Sequence, residues 1–98
     1  MTLEEIRKDL QEIKCFYALQ ESFIKGTSIV RNQPIAQKVN KYNTAISQAP
    51  PKMYVIYMEL YVSNKSQFAL AQDWKCSEAN IRYYNRKLFD FFMSYFNK

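Results

Sequence analysis

The feature that most constrains this sequence is its shortage of residues that turn a chain sharply. The 98 residues include one glycine and three prolines, so the many tight hairpins of an all-β sandwich are hard to build. A chain of this length forms one small core. Because 48% of the residues are hydrophobic and 16% are aromatic, there is ample material for that core. We therefore expect a single all-α domain over residues 1–98.

The first half of the chain, residues 1–49, begins with a clear helix signal. Thr2 and Glu5 form a capping box, in which each side chain accepts a hydrogen bond from the backbone amide of the other. A helix from about residue 2 to 25 is predicted, with Gly26 at its C′ position. Its apolar residues recur at helical spacing, and they are Leu3, Ile6, Leu10, Ile13 and Tyr17.

A second amphipathic helix is predicted over residues 34–48. Proline suits the first turn of a helix because its missing N–H would be unpaired there, which fits Pro34, and Ala49-Pro50-Pro51 ends the helix. Its apolar stripe consists of Ile35, Val39, Tyr42, Ile46 and Ala49. The two helices predict an N-terminal helical hairpin. This hairpin is either a platform for the rest of the core or a surface for dimerisation or a partner.

The second half, residues 52–98, is predicted to form three more helices. The third helix starts at Lys52 and fades at the polar turn Ser63-Asn64-Lys65, while Ser66 and Ser77 can cap the fourth and fifth. The apolar face of the third helix consists of Met53, Ile56, Tyr57, Leu60 and Tyr61. That of the long fifth helix consists of Ile81, Tyr84, Leu88, Phe91, Phe92 and Tyr95.

The stretch from Gln67 to Arg86 has the layout of a helix-turn-helix unit. Ala71 is a small residue where the two helices would cross, and Ile81 is an aliphatic residue that locks the second helix onto the first. Lys75 falls in the turn, where glycine is usual, so either it takes a positive φ or the turn differs. The remaining buried positions are expected to hold Leu70, Trp74, Cys76 and Tyr84.

The exposed face of the fifth helix is the predicted DNA-reading surface. Arg82 and Arg86, four residues apart, share a face that suits reading guanine edges or gripping phosphates. Asn80, Glu78 and Tyr83 complete the predicted base-reading set, although Glu78 also suits the positive N-terminus of a helix. Phosphate contacts, which add affinity and salt dependence, are predicted for Lys65, Ser66, Gln67, Lys75, Ser77 and Lys87.

The segment from Val55 to Phe92 is similar to the region-four helix-turn-helix of sigma-70-like factors. The matching positions are Leu60-Tyr61, Asn64-Lys65-Ser66, Leu70-Ala71, Ser77 and Ile81-Arg82. With its amphipathic N-terminal helices, its Ala-Pro-Pro and its aromatic C-terminus, the whole chain resembles the ArpU/RinA-type late transcription regulators of phages of Gram-positive bacteria. The resemblance implies a phage-encoded, sequence-specific DNA-binding transcription regulator that inserts the 77–88 helix into the major groove. Its implied partners are double-stranded DNA, a second copy in a homodimer and host RNA polymerase.

The composition argues against an enzyme. The sequence has no histidine, which removes Ser-His and Cys-His nucleophile pairs and His-ligated metal sites. Cys15 and Cys76 are too far apart for a CxxC motif, and we expect free, buried thiols, although one disulfide is possible. With Gly26 as the one glycine there is no phosphate-cradling loop. We expect no cofactor, no metal and no small-molecule substrate.

Charge and hydropathy bear on partners and location. A net charge of +5 favours polyanions, and the longest apolar run, Met53 to Met58, is shorter than the ~18 residues of a membrane helix. The acidic residues near the start argue against a secretory signal, so we expect the bacterial host cytoplasm and no membrane partner. Two alternatives stay open. One is a protein-interaction module that binds polymerase or a repressor without touching DNA, and the other is a small terminase-like packaging module.

Overall fold

The computed structural model describes residues 1–25 and 33–98, with the side chains of residues 1–19 and 35–98. All regular structure in these residues is helical, which confirms the expected all-α class. The helices are α1 (Leu3–Lys25), α2 (Gln33–Ile46), α3 (Pro51–Tyr57), a π-helical turn (Met58–Val62), α4 (Gln67–Asp73) and α5 (Glu78–Phe96). The predicted C′ position of Gly26 lies outside the described residues.

The capping box at the start of α1 is confirmed. The Glu5 amide donates to Thr2 Oγ1 over 3.2 Å, and the Thr2 amide donates to Glu5 Oε1 over 3.1 Å. From the predicted stripe, the three central residues, Ile6, Leu10 and Ile13, are buried, whereas Leu3 at the start of the helix is exposed. The stripe therefore faces the core along the middle of α1 and leaves it at the first turn.

Helices α1 and α2 pack antiparallel, since a residue later in α1 contacts a residue earlier in α2. Glu12 meets Lys38, and Asp9 meets Tyr42. Helix α2 ends at Ile46 rather than at residue 48, because the proline that follows Ala49 disfavours the α conformation there. The buried side chains of α2 are Val39, Tyr42, Ala45 and Ile46. Three residues of its predicted stripe, Val39, Tyr42 and Ile46, therefore face the core of the same chain, while Ile35 and Ala49 are only partly buried.

Helix α3 runs directly into the π turn, which the sequence pattern did not predict. The five apolar residues predicted for this segment are all buried, namely Met53, Ile56, Tyr57, Leu60 and Tyr61. The π turn closes when the Ser63 amide donates to the Met58 carbonyl over 2.8 Å. Asn64 then adopts a positive φ of 57°, and its side-chain amide donates to the Lys14 carbonyl over 3.1 Å. This bond ties the end of the π turn to α1.

One core joins the hairpin to α3–α5. The Phe92 ring lies 4.9 Å from that of Tyr42 on α2 and 6.0 Å from that of Tyr57 on α3, edge to face in both cases. Such aromatic pairs contribute roughly 0.5–1.5 kcal/mol beyond their burial. The cysteines lie away from this centre. Both are free, and Cys15 is exposed, so the expectation of a buried thiol there was wrong because it lies beside, not within, the apolar stripe of α1.

Candidate nucleic-acid interface

The turn between α4 and α5 sets how the predicted recognition helix begins. The Cys76 amide donates to the Ala71 carbonyl over 2.9 Å and the Lys75 amide to the Gln72 carbonyl over 3.2 Å. This is the hydrogen-bond pattern of a Schellman motif, which requires a left-handed residue at C′. Lys75 adopts that conformation, with a φ of 54°. Of the two alternatives that the sequence left open, a positive φ at Lys75 or a different turn, the first is therefore correct.

The packing of α4 against α5 follows the predicted layout at its centre. The crossing residue Ala71, its neighbour Leu70 and the aliphatic lock Ile81 are all buried. The other three positions expected to be buried, Trp74, Cys76 and Tyr84, are only partly buried. The indole and phenol rings of Trp74 and Tyr84 lie 6.4 Å apart, edge to face. These two rings therefore pack against each other where α4 meets α5.

Two serines begin the two helices of this unit. Ser66 Oγ accepts from the Ala69 amide over 3.0 Å, and Ser77 Oγ accepts from the Asn80 amide over 3.1 Å, so both predicted caps are confirmed. Each hydroxyl keeps its own proton as a donor. Both serines are exposed. They are therefore able to donate to a phosphate while capping their helices.

All five predicted base-reading residues lie exposed on the first half of α5. They are Glu78, Asn80, Arg82, Tyr83 and Arg86. The stretch that they occupy is about 12 Å long at 1.5 Å per residue. The diameter of a helix with its side chains, about 10–12 Å, matches the width of a B-DNA major groove, about 12 Å. Glu78 lies in the first turn of α5, where its charge also suits the helix dipole.

Around this face, several cations have no acidic partner. Within residues 1–19 and 35–98, whose side chains the structure describes, no carboxylate oxygen lies within 4 Å of the side-chain nitrogens of four cationic residues, namely Lys75, Arg82, Arg86 and Lys87. The Lys87 ammonium lies 5.4 Å from the centre of the Tyr83 ring. Unpaired, exposed cations on one face attract polyanions.

Lys65 differs from the other predicted phosphate contacts. Its Nζ lies 2.5 Å from Asp73 Oδ2 and 3.1 Å from Glu59 Oε2. The hydrogen bond to Asp73, followed by that to Glu59, raises the pKa of Lys65. The lysine thus links the π turn to the end of α4. A phosphate would have to share this ammonium with two carboxylates, which weakens the case for Lys65 as a DNA contact.

The structure brings the two arginines to one flank of α5, beside a cleft of about 540 Å³ that opens between α1 and α5. Arg82, Arg86 and Gln67 line this cleft, whereas the other predicted site residues do not. Sequence reasoning missed Arg7 of α1, which lines the same cleft. No local pattern could have found it, because the pairing of α1 with α5 depends on the tertiary fold.

Other kinds of site are not apparent in the part of the chain that the structure describes. No group of three or more Cys, Asp or Glu side chains is arranged to hold a metal ion there. None of the described helices has both the length and the apolar character needed to cross a bilayer. Comparisons with models of protein families, with curated proteins and with solved structures found no match to this chain.

Proposed function

We propose that this chain is a sequence-specific DNA-binding transcription regulator that inserts the 77–88 helix into the major groove. The observation that carries the proposal is the exposed first half of α5, where Arg82, Arg86 and Lys87 lie without acidic partners among the side chains that the structure describes. It follows a capped, Schellman-type turn from α4, as in a helix-turn-helix. A phage origin is supported by the sequence resemblance alone.

The exposed side chains divide the work of binding. Asn80 and Tyr83 lie on the outer face of α5 and suit base edges or sugar–phosphate contacts. Ser66 lies at the start of α4, and Lys75 lies in the turn that follows it. Both side chains suit contacts with DNA phosphates. One module of this size makes few base contacts, so useful specificity needs a homodimer or a polymerase partner. Within the hairpin, residues 1–49, the exposed polar face of α2 is the proposed surface for that partner.

The proposal is tested by selection of genomic fragments with the purified chain, followed by affinity measurements on the selected duplex at 50 and 200 mM salt. We expect a recurrent site and, for about four phosphate contacts, a loss of roughly 100-fold in affinity between the two salts. An inverted repeat indicates a dimer, and a single half-site indicates a monomer working beside polymerase. Absence of any enriched site contradicts the proposal.

Variants connect the binding to α5. The double variant Arg82→Ala/Arg86→Ala is expected to weaken binding at least tenfold. Lys98→Ala removes one exposed cation just beyond the end of α5 and is the control, with an affinity close to that of the parent. Equal affinities for the double variant and the control, with both folded, contradict the assignment of α5 as the DNA-binding helix.

A protein-interaction module that binds polymerase or a repressor is the second candidate. It is favoured by large apolar side chains that the fold leaves exposed, namely Tyr54, Val55 and Phe68. Such a module shows no salt-dependent DNA binding. A large ring in solution would instead favour the terminase-like packaging module.

A further inference from the structure

Three arginines from two distant parts of the sequence line the cleft between α1 and α5. Arg82 and Arg86 come from α5, and Arg7 comes from the second turn of α1. Three like charges along one small cleft repel each other, so a fold that assembles them benefits from an anion between them. Planar guanidinium forks suit phosphate oxygens in particular, because they form paired hydrogen bonds with them.

The neutral lining of the cleft also supplies donors. The Tyr61 hydroxyl donates to Asn85 Oδ1 over 2.7 Å, which fixes the orientation of this amide. The Asn85 Nδ2 group then has no acceptor within the described residues and remains available as a donor to an anion. Gln11 and Gln67 add two further amides to the lining.

Apolar side chains complete the walls of the cleft. Leu3, Leu10 and Phe89 line it, and their low polarity strengthens the field of the nearby guanidiniums. Among the described residues the cleft has one acidic lining residue, Asp90. The Glu4 carboxylate touches Arg7 from outside at 3.8 Å, and both side chains are mostly exposed. Such an exposed pair contributes little, so three cations outweigh one anion.

We propose that the α1–α5 cleft is a phosphate-binding site in which Arg7 is the third guanidinium beside Arg82 and Arg86. The start of α4 adjoins the cleft through Gln67, so a DNA strand that passes α5 places a backbone phosphate within its reach. In that form the inference rests on the proposed function. It assigns the two α5 arginines to phosphate rather than to base edges, and it adds α1 to the interface. A free phosphorylated molecule offers the same chemistry.

The first arm of the test uses inorganic pyrophosphate at constant ionic strength, followed by amide NMR. We expect saturable shifts confined to the cleft-lining parts of α1 and α5, residues 3–11 and 82–90. Arg7→Gln should abolish them. Lys8→Gln, which removes the same charge from the exposed residue next to Arg7, should retain them. Asp90→Asn should tighten pyrophosphate binding several-fold, because it removes a competing carboxylate.

The second arm uses the selected duplex and an unrelated duplex of equal length. Arg7→Gln should weaken binding to both about tenfold and lower the salt slope by about 0.9, the value for one phosphate contact. The effect of Lys8→Gln should be much smaller. A loss with Arg7→Gln in this arm identifies DNA as the source of the phosphate. Pyrophosphate binding without such a loss supports the phosphate site with a small phosphorylated ligand.

The inference is overturned if pyrophosphate causes no shifts at the cleft and Arg7→Gln binds both duplexes as well as Lys8→Gln does. In that case DNA binding by the parent chain leaves the proposed function standing. If the parent binds no DNA at all, the proposed function fails, and the pyrophosphate arm alone decides the cleft.

Discussion

The charged side chains of the α1–α2 hairpin and those on the first half of α5 are held in opposite ways. In the hairpin, Lys38 lies 3.0 Å from Asp9 and also pairs with Glu12. The Tyr42 hydroxyl donates to Asp9 over 2.8 Å. On α5, by contrast, the exposed arginines contact no carboxylate of the described chain.

This difference separates charges that serve the fold from charges that remain for a ligand. Asp9 is only 9% exposed, and a carboxylate that leaves water needs partners within the protein. The hairpin charges therefore stabilise the register of two helices. The tyrosines divide in the same way, because Tyr42 and Tyr57 are fully buried while Tyr83 on α5 is 50% exposed. Substitutions should change stability in the first region and binding in the second.

Alkaline unfolding should show the largest effect of this division. Burial raises the pKa of Tyr42 and Tyr57 above the ordinary value and that of Tyr61 to about 12. A raised pKa favours the protonated phenol in the folded chain. Its contribution is therefore complete below the unfolded value of about 10 and is lost as pH rises through the folded value. For Tyr61 alone, a rise in pKa from about 10 to about 12 corresponds to a contribution of about 3 kcal/mol to the free energy of unfolding.

The measurement is a titration from about pH 9 to pH 12.5 that follows helical circular dichroism and phenolate absorbance together. We expect the phenolate signal of three of the eight tyrosines, Tyr42, Tyr57 and Tyr61, to appear only with the loss of helix. Tyr83→Phe should leave the unfolding midpoint unchanged, since that ring is exposed. If the phenolate signal is complete while the helices are intact, the buried tyrosines do not have this role.

The hairpin network provides the next largest effect. Asp9→Ala should lower the free energy of unfolding by about 2–3 kcal/mol, because it leaves the Lys38 ammonium and the Tyr42 hydroxyl without their shared partner. Glu4→Ala, a change at an exposed carboxylate of the same helix, should cost about 0.5 kcal/mol. Urea denaturation measures both, and equal losses for the two variants would contradict the role of Asp9. DNA affinity of the folded Asp9→Ala chain should stay close to that of the parent.

Local signals carried most of the fold prediction. The capping box of Thr2 and Glu5 and the serine caps at Ser66 and Ser77 depend on a few neighbouring residues, so the sequence alone was sufficient to locate three helix starts. Apolar periodicity likewise identified the buried face of α3 and its continuation. The π turn was missed because an extra residue per turn, at Met58–Val62, leaves no mark in the spacing of Leu60 and Tyr61.

The sequence predicted the candidate-site residues on α5 but not the arginine that α1 places beside them. The apolar periodicity of α5 is sufficient to predict that Arg82 and Arg86 are exposed, and both are exposed in the structure. It gives no information about which element lies beside them, because Arg7 and Arg86 line the same cleft only through the tertiary packing of α1 on α5. The acidic partners of Lys65 were missed for the same reason, since the approach of Asp73 depends on how α4 follows the π turn.

The smallest expected effect concerns Lys75, a turn residue whose backbone conformation lowers stability and whose charge suits a ligand. Lys75 holds a positive φ of 54°, which costs an ordinary residue roughly 1 kcal/mol or more relative to glycine. Its exposed side chain has no carboxylate partner in the described chain that would be lost. Lys75→Gly should therefore raise the free energy of unfolding by about 0.5–1 kcal/mol.

If the proposed function holds, the same substitution should weaken DNA binding for every sequence and lower the salt slope by about 0.9, because it removes the proposed phosphate contact of Lys75. Lys75→Ala is the matched control, since it removes the same charge and keeps the strained backbone. It should weaken DNA binding equally but give no gain in stability. Equal stabilities of the glycine and alanine variants would contradict the strain, and an unchanged salt slope would contradict the phosphate contact. Glycine would be more stable than lysine at this positive φ. We therefore expect the charge of Lys75 to bind a ligand rather than to stabilise the fold.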